Sequence, residues 1–263
     1  MKIADLGDIR LHYSDEGDPD GAPIVFANSL GTDFRLWDKI VPNLPAGLRI
    51  IRYDKRGHGL SDVPAGPYSM GTLVSDAEKL MDHLGVKDAL FVGLSIGGMI
   101  AQGLAVKRLD MVRALVLSNT AAKIGTAEMW QERVKAVTEQ GIEPLADNVM
   151  ERWFARDFRA TPELQLWRNM LVQQSQAGYA GCCAAIAGTD FYTPTSGLRL
   201  PCLGLAGSED GATPPDLVRE TVDLIPGSQF HLIRRAGHIP CVEQPDEYTS
   251  RLTQFLRETG HIG

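Results

Sequence analysis

The 263-residue sequence has few cysteines and no long apolar run, and each shortage excludes a class of protein. The four cysteines form neither a Cys-x-x-Cys metal pattern nor a disulfide framework, so we expect reduced thiols in the cytoplasm. No run approaches the roughly 18 apolar residues of a membrane-spanning helix. The N-terminus also lacks the basic start and apolar segment of a signal peptide. We therefore expect a soluble, cytoplasmic protein.

Basic residues are fewer than acidic ones, and this limits the classes of molecule that the protein is expected to bind. With 26 basic and 33 acidic residues the formal net charge is −7, and this argues against nucleic acid or an anionic membrane as a partner. The glycines after Ser95 do not form a Gly-x-Gly-x-x-Gly fingerprint, so no nucleotide or flavin site is expected, and no metal site either. An anionic small molecule remains possible if the chain supplies a local cation.

The most informative stretch is residues 91–100, where an apolar strand pattern breaks at Ser95 and a run of small, helix-forming residues begins. In a Gly-x-Ser-x-Gly pattern the serine occupies a strained turn between strand and helix. Here Gly93 and Gly97 remove Cβ atoms that would collide across that turn. The turn exposes the serine hydroxyl and directs the first N–H groups of the helix toward the atom that it attacks. The stretch predicts a nucleophile elbow and acyl transfer.

Apolar runs that alternate with helical patterns predict one α/β domain. The continuous apolar run at 23–27 is typical of a strand covered on both faces of a parallel sheet, and residues 112–117 predict another buried strand. From residue 122 to residue 190 strand signals vanish and apolar residues recur at helical spacing. We expect one α/β core of residues 1–121 and 191–263, with a mostly parallel sheet and helices on both faces. Residues 122–190 are predicted to form a helical cap that is inserted into this core.

Polar turns follow the first predicted strands. The polar, glycine-containing segment 28–32 comes directly after a buried strand and is a candidate for half of an oxyanion hole. Residues 34–44 are predicted to form one short helix. The next strand, 48–53, ends in a tight turn at 54–59.

A serine nucleophile needs a base that is itself oriented by a carboxylate. Asp210 follows a predicted strand at the carboxyl edge of the sheet, where active sites of α/β proteins form, and the loop turns back at Gly211. The neighbouring Glu209 stays open as the alternative, because spacing alone does not decide between adjacent carboxylates.

The predicted base is His238, which lies between the last predicted strand and the last predicted helix. Its imidazole can therefore approach from the same edge of the sheet. The chain order serine, acid, histidine also fits this elbow. The alternative is His58, which lies between two glycines after another strand and which we expect to stabilise its own turn.

Four segments carry a family resemblance: 54–61, 93–98, 207–210 and 237–238. Together they resemble the α/β-hydrolase superfamily over essentially the whole chain. This resemblance implies an α/β-hydrolase fold with an inserted cap. Ser95 argues against the haloalkane dehalogenase and epoxide hydrolase chemistry of this fold, which places a carboxylate at the elbow.

A narrower resemblance rests on segments 28–32, 120–126, 151–154 and 178–186, with Trp130. These look like 3-oxoadipate enol-lactonases of the β-ketoadipate pathway, which degrades aromatic compounds. The resemblance implies hydrolysis of an anionic lactone through an acyl-enzyme, without a cofactor. A general carboxylesterase, a carbon–carbon bond hydrolase of the same fold and, from another class, a non-catalytic binding protein remain the alternatives.

Carried over residue by residue, the resemblance implies a role for five residues. It makes Ser95 the nucleophile, Asp210 the orienting carboxylate and His238 the base. It makes the backbone N–H groups of Leu30 and Ile96 the donors that bind the oxyanion.

The implied substrate carries a free carboxylate, so this acidic chain must present a cation to the pocket. Arg133 stands three residues after Trp130 on a predicted cap helix, and both side chains can therefore share one face. The arginine would bind the carboxylate through two hydrogen bonds while the indole bounds the pocket. Arg152 and Lys123 are alternatives for the cation. The sequence does not define an oligomeric state.

Overall fold

The apolar runs form one eight-stranded sheet in the computed structural model, which describes residues 2–263. The order of strands across the sheet is 1-2-4-3-5-6-7-8. The first two pairings are antiparallel, between strands 1 and 2 and between strands 2 and 4, and all other pairings are parallel. The predicted mostly parallel α/β fold is confirmed. In chain order the strands are β1 (Lys2–Asp5), β2 (Arg10–Gly17), β3 (Ala22–Ala27), β4 (Leu48–Tyr53), β5 (Ala89–Leu94), β6 (Val112–Ser118), β7 (Cys202–Gly207) and β8 (Gln229–Ile233).

Helices cover the central strands, since every residue of β5 and of β7 is buried. No helix within residues 2–263 is long and apolar enough to cross a membrane. The α-helices are α1 (Met70–His83), α2 (Ile96–Lys107), α3 (Ala127–Gln140), α4 (Ala146–Trp153), α5 (Arg156–Arg159), α6 (Leu164–Val172), α7 (Gln176–Ala187), α8 (Tyr192–Ser196), α9 (Pro215–Asp223), α10 (Pro240–Glu243) and α11 (Pro245–Glu258).

The single helix predicted over residues 34–44 is wrong. Two short 3₁₀ helices, Phe34–Trp37 and Val41–Asn43, occupy this segment. Pro42 explains the break, because it has no N–H group to continue an α-helix and its ring collides with the preceding turn. Sequence reasoning also missed β1, whose four residues are mostly exposed and therefore carry little apolar pattern.

The predicted cap region, residues 122–190, contains helices and no strand in the described chain. Helix α3 packs against α7, and α4 packs against α6. Two of these helices begin at side-chain caps: Thr126 accepts a hydrogen bond from Met129 N, and Ser175 accepts one from Gly178 N. The division of the chain into a core and a cap stays a prediction.

Candidate active site

Ser95 lies at the sharp turn between β5 and α2, with φ +59° and ψ −121°. Residues other than glycine rarely adopt a positive φ, and such strain persists only where the surroundings fix it. The flanking glycines allow the turn to close. A Cβ atom on Gly93 would lie 2.3 Å from the carbonyl oxygen of Gly97, and one on Gly97 would lie 2.2 Å from that of Ala27. The residues therefore form the predicted elbow for steric reasons.

A buried histidine and carboxylate lie beside this elbow. Nδ1 of His238 is 2.8 Å from Oδ2 of Asp210, and both side chains are almost completely buried. The carboxylate of Glu209 instead accepts a hydrogen bond from the backbone N–H of Arg156 at 3.2 Å. Of the two adjacent acids left open by the sequence, the structure places Asp210 against the imidazole.

Asp210 is surrounded by donors. Its Oδ1 accepts from the backbone N–H groups of Ala212 and Thr213, and its Oδ2 accepts from the Thr213 hydroxyl and from Nδ2 of Asn119. Burial is the largest influence and raises the pKa of Asp210. The charge of His238 and these hydrogen bonds outweigh burial, so the pKa lies below its usual value. The carboxylate therefore stays ionised beside the imidazole.

The loop that carries His238 is attached to the end of α4. The backbone N–H of His238 donates to the carbonyl of Trp153 at 2.7 Å, and the two rings stack with centroids 6.4 Å apart. The carboxylate of Glu243 accepts from Gly237 N at 2.7 Å and from Ala155 N at 2.8 Å. Burial raises the pKa of Glu243 to about 7. These contacts hold the loop that carries His238 against the end of α4.

The alternative base, His58, is buried away from this site. Its Nε2 accepts a hydrogen bond from Gly31 N at 2.9 Å, and its Nδ1 faces the Cys182 thiol. Burial, followed by the nearby charge of Lys55, lowers the pKa of His58 well below its usual value. A neutral His58 therefore stabilises its turn and, in addition, holds the 28–32 loop.

The two predicted oxyanion donors have free N–H groups. Ile96 is the first residue of α2, so its N–H has no partner within the helix. Leu30 lines the same cavity as Ser95, and within residues 2–263 its N–H donates to no other protein group. Asn28 anchors the loop from behind, because its amide donates to the Tyr53 carbonyl and accepts from the indole of Trp37, both at 2.8 Å.

The serine and the histidine open into one cavity of about 370 Å³. Two arginines reach it from the cap region: Arg133 donates to the Tyr179 hydroxyl at 3.2 Å, and Arg152 donates to the Gly211 carbonyl at 2.9 Å. Within residues 2–263 neither arginine pairs with a carboxylate. The third candidate cation, Lys123, does not line the cavity and pairs with Asp190. The cavity wall includes Leu30, Ser95, Trp130, Arg133, Arg152 and His238.

The family model of the alpha/beta hydrolase fold matches residues 22–245, most of the chain. The chain belongs to the alpha/beta hydrolase family. It is 36% identical to 3-oxoadipate enol-lactonase 2 of Acinetobacter baylyi, with 95% of this chain and 94% of that protein covered. With 3-oxoadipate enol-lactonase 1 of the same organism it shares 33% identity, over 91% of this chain and 90% of that protein.

A solved structure supports the same similarity to enol-lactonases. The enol-lactonase from Burkholderia xenovorans LB400 superposes with a TM-score of 0.94 at 36% identity, over 97% of this chain and 100% of that chain. The resemblance to enol-lactonases inferred from the sequence is confirmed.

Sequence reasoning missed two residues of this alpha/beta hydrolase site, Asn119 and Thr213. Asn119 follows β6 with φ +43°, a conformation that asparagine tolerates, and its amide bonds Asp210. A polar residue at the carboxyl end of a buried strand was the available signal for Asn119. Thr213 lies three residues beyond the acid and carried no comparable signal. The described chain contains no group of three or more His, Cys, Asp or Glu side chains that could hold a metal ion.

Proposed function

We propose that this protein opens the ring of 3-oxoadipate enol-lactone to give 3-oxoadipate, a step in the degradation of aromatic compounds. The protein is a hydrolase of ester bonds, and a lactone is a cyclic ester. The observation that carries the proposal is the composition of the cavity. A serine on a nucleophile elbow, a histidine and two arginines line a cavity of about 370 Å³, and neither arginine pairs with a carboxylate among residues 2–263. Such a cavity suits a small anionic ester.

Acylation begins at Ser95 in this proposal. His238 accepts the proton of the serine hydroxyl as Oγ attacks the lactone carbonyl carbon. The bond from Nδ1 of His238 to Asp210 leaves Nε2 as the proton acceptor and stabilises the imidazolium that forms. The ionised state of Asp210 is essential to this step, because a neutral acid would no longer favour the charged imidazole.

The developing oxyanion is bound by the N–H groups of Leu30 and Ile96. Because both are backbone groups in a fixed turn and loop, they need no reorganisation during the reaction. Collapse of the intermediate breaks the ring C–O bond and expels an enolate, which is a better leaving group than an alkoxide and needs less acid catalysis. The imidazolium of His238 then gives its proton to the enolate, which becomes a ketone. The expelled oxygen can therefore no longer close the ring, and His238 is neutral again for the next step.

Deacylation uses the same groups. His238 takes a proton from water as the water oxygen attacks the acyl carbon, and the proton then returns to Oγ of Ser95 as the acid is released. No group is consumed, so the site returns to its starting state with one water added across the ester.

The substrate carboxylate is bound at the cap side of the cavity in this proposal. Arg133 stands on α3, one turn after Trp130, whose indole donates to the Ile124 carbonyl at 2.6 Å. That bond fixes the indole as a wall, and the Tyr179 hydroxyl holds the guanidinium beside it. A fixed guanidinium can bind a carboxylate with two parallel hydrogen bonds.

The experiment follows the loss of ultraviolet absorbance of the enol-lactone with wild-type protein and Ser95→Ala, beside a neutral p-nitrophenyl ester. We expect turnover of the lactone far above that of the ester, and loss of both activities in the serine variant. Turnover of the ester alone would leave an esterase with the same serine and would overturn the proposed substrate. Turnover of the lactone by Ser95→Ala would overturn the proposed nucleophile.

A further inference from the structure

Lys55 is a buried cation that the proposed reaction has not used. Only 2% of the residue is exposed. Its ammonium donates to the carbonyl of Ser29 at 2.6 Å and to that of Thr32 at 3.4 Å, and within residues 2–263 it forms no ion pair. A buried charge without a counterion is costly, and a methionine of similar shape would avoid that cost. Its position therefore calls for a role besides stability.

The carbonyl that Lys55 binds belongs to the same peptide group as the N–H of Leu30. In a planar trans peptide these two groups point in opposite directions. A cation on the Ser29 oxygen therefore fixes the direction of the Leu30 N–H. It also polarises the peptide, which makes the N–H a stronger donor, as in a chain of hydrogen bonds.

We propose that Lys55 is a positioning residue for the oxyanion hole: its ammonium binds Ser29 O and thereby directs and strengthens the Leu30 N–H. This inference rests on the part of the proposed function that makes Ser95 the nucleophile and Leu30 a donor. It does not depend on the identity of the substrate.

The next peptide of the loop is held from the same turn, which supports this role. His58 accepts the N–H of Gly31, so the turn that carries Lys55 and His58 contacts two successive peptides. Gly31 itself has φ +76°, and a Cβ atom there would lie 2.5 Å from a methyl carbon of Leu171. The loop is therefore fixed from both sides, and the direction of its N–H groups is set by buried contacts.

The charge of Lys55 can be titrated within an accessible range. Burial lowers the pKa of Lys55 to about 8, although the nearby Asp54 and Asp33 oppose this shift. The other titratable groups that face it are His58 on its own turn and Cys182 on α7. Burial lowers the pKa of His58 well below its usual value and raises that of Cys182 to about 12, so neither changes charge near pH 8. Lys55 is the group in this cluster that loses its charge there.

The test uses Lys55→Met, which is one atom shorter, keeps an unbranched chain of similar shape and removes the ammonium. Lys39→Met is the matched control, because Lys39 also donates to a backbone carbonyl, that of Val242 at 3.2 Å. We expect Lys55→Met to remain folded and to lower kcat for neutral p-nitrophenyl acetate about 10²-fold with little change in KM. This is the lower end of the cost of losing one oxyanion donor. The rate of labelling of Ser95 by an uncharged fluorophosphonate should fall in parallel.

The pH profile gives a second, independent readout. In the wild type kcat should fall as pH rises through about 8, because the protonated lysine is the active form. Lys55→Met should lack this fall. A Lys55→Met protein with kcat and labelling rate equal to those of Lys39→Met would overturn the proposal. So would a wild-type kcat that is constant across pH 8, and this holds even if the variant fails to fold.

The neutral ester and the fluorophosphonate separate this inference from the proposed substrate. Loss of ester turnover in Lys55→Met, with no lactone turnover by the wild type, would support the role of Lys55 and overturn the lactonase. If the wild type turns over the lactone and Lys55→Met retains that turnover in full, the lactonase is supported and the role of Lys55 is overturned. A wild-type Ser95 that resists the fluorophosphonate would overturn both.

Discussion

Oδ2 of Asp210 accepts hydrogen bonds from Nδ1 of His238 and from the side chain of Asn119, each at 2.8 Å. One oxygen thus joins the loop after β7, the loop after β8 and the end of β6. Because three neighbouring strand ends contribute to this contact, the direction of the imidazole depends on the sheet and on no single loop.

Replacing Asp210 by asparagine tests whether the reaction needs the charge of this side chain or only its shape. Asp210→Asn keeps the size of the side chain but places an amide where His238 and several N–H groups need acceptors, which favours the wrong tautomer of the imidazole. We expect kcat to fall about 10⁴-fold. Kinetics with the neutral ester measure this loss. Glu209→Gln is the matched control, since Glu209 contacts Arg156, and an equal loss there would contradict the assignment of the acid.

The residue that binds the substrate carboxylate can be identified by comparing an anionic substrate with a neutral one. Arg133→Ala should raise KM for the anionic lactone by about 10- to 10²-fold, the range expected when a charged hydrogen-bonded pair is lost, and leave the neutral ester unchanged. Lys123→Ala removes a cation that does not line the cavity and should change neither value. Steady-state kinetics on both substrates decide. Equal KM values for Arg133→Ala and wild type on the lactone would shift the role to Arg152.

Substitution by alanine should have opposite effects at the elbow glycine Gly97 and at the helical glycine Gly71. Gly97→Ala would place its Cβ 2.2 Å from a backbone oxygen, and we expect it to lower the free energy of unfolding by about 3 kcal/mol and to abolish activity. Gly71→Ala, in the first turn of α1, meets only the Ser69 hydroxyl at 3.7 Å and should raise stability by about 0.5–1 kcal/mol. Urea unfolding followed by circular dichroism measures both. A tolerated Gly97→Ala would contradict the described turn.

His58 predicts a dependence of stability on pH. Its pKa in the folded protein lies well below the ordinary value of 6.5, so the unfolded chain binds the proton more tightly. This contribution to stability is complete above pH 6.5 and is lost as pH falls toward the folded pKa. The slope is about 1.4 kcal/mol per pH unit for one proton.

Thermal unfolding of His58→Gln between neutral and acid pH checks this expectation. The variant should be less stable than the wild type at pH 7 but should lose less stability on acidification. The exposed His83 on α1 provides the control, because His83→Gln should keep the slope of the wild type. Parallel curves for His58→Gln and wild type would show that His58 is not the group responsible.

Local pattern explains why much of the fold and part of the site could be predicted. Buried parallel strands leave continuous apolar runs, and Ser95 stands between two glycines that its turn requires. Asp210 and His238 each follow a strand, so topology alone brings them to one edge of the sheet. These features are set by residues close together in the sequence.

Contacts between distant segments explain what the sequence did not predict. Asn119 donates a hydrogen bond to Asp210, 91 positions later in the chain, and Lys55 donates one to the carbonyl of Ser29, 26 positions earlier. Neither contact leaves a periodic or local signal, because it exists only once the strands are ordered in the sheet. The break in the segment 34–44 is different, because it arises locally, at Pro42.

The end of α4 is joined by hydrogen bonds to the loops that carry Asp210 and His238. The N–H of His238 donates to the Trp153 carbonyl, the N–H of Gly211 donates to the Arg152 carbonyl, and the Arg152 side chain donates to the Gly211 carbonyl. Helix α3, by contrast, makes its main contacts with α7, and it carries Arg133. The two parts of the cap region therefore differ in how freely they can evolve. Under the proposed function, new substrate preferences can arise on α3 while Ser95, Asp210 and His238 keep their positions, whereas a change that shifts α4 also moves the His238 loop.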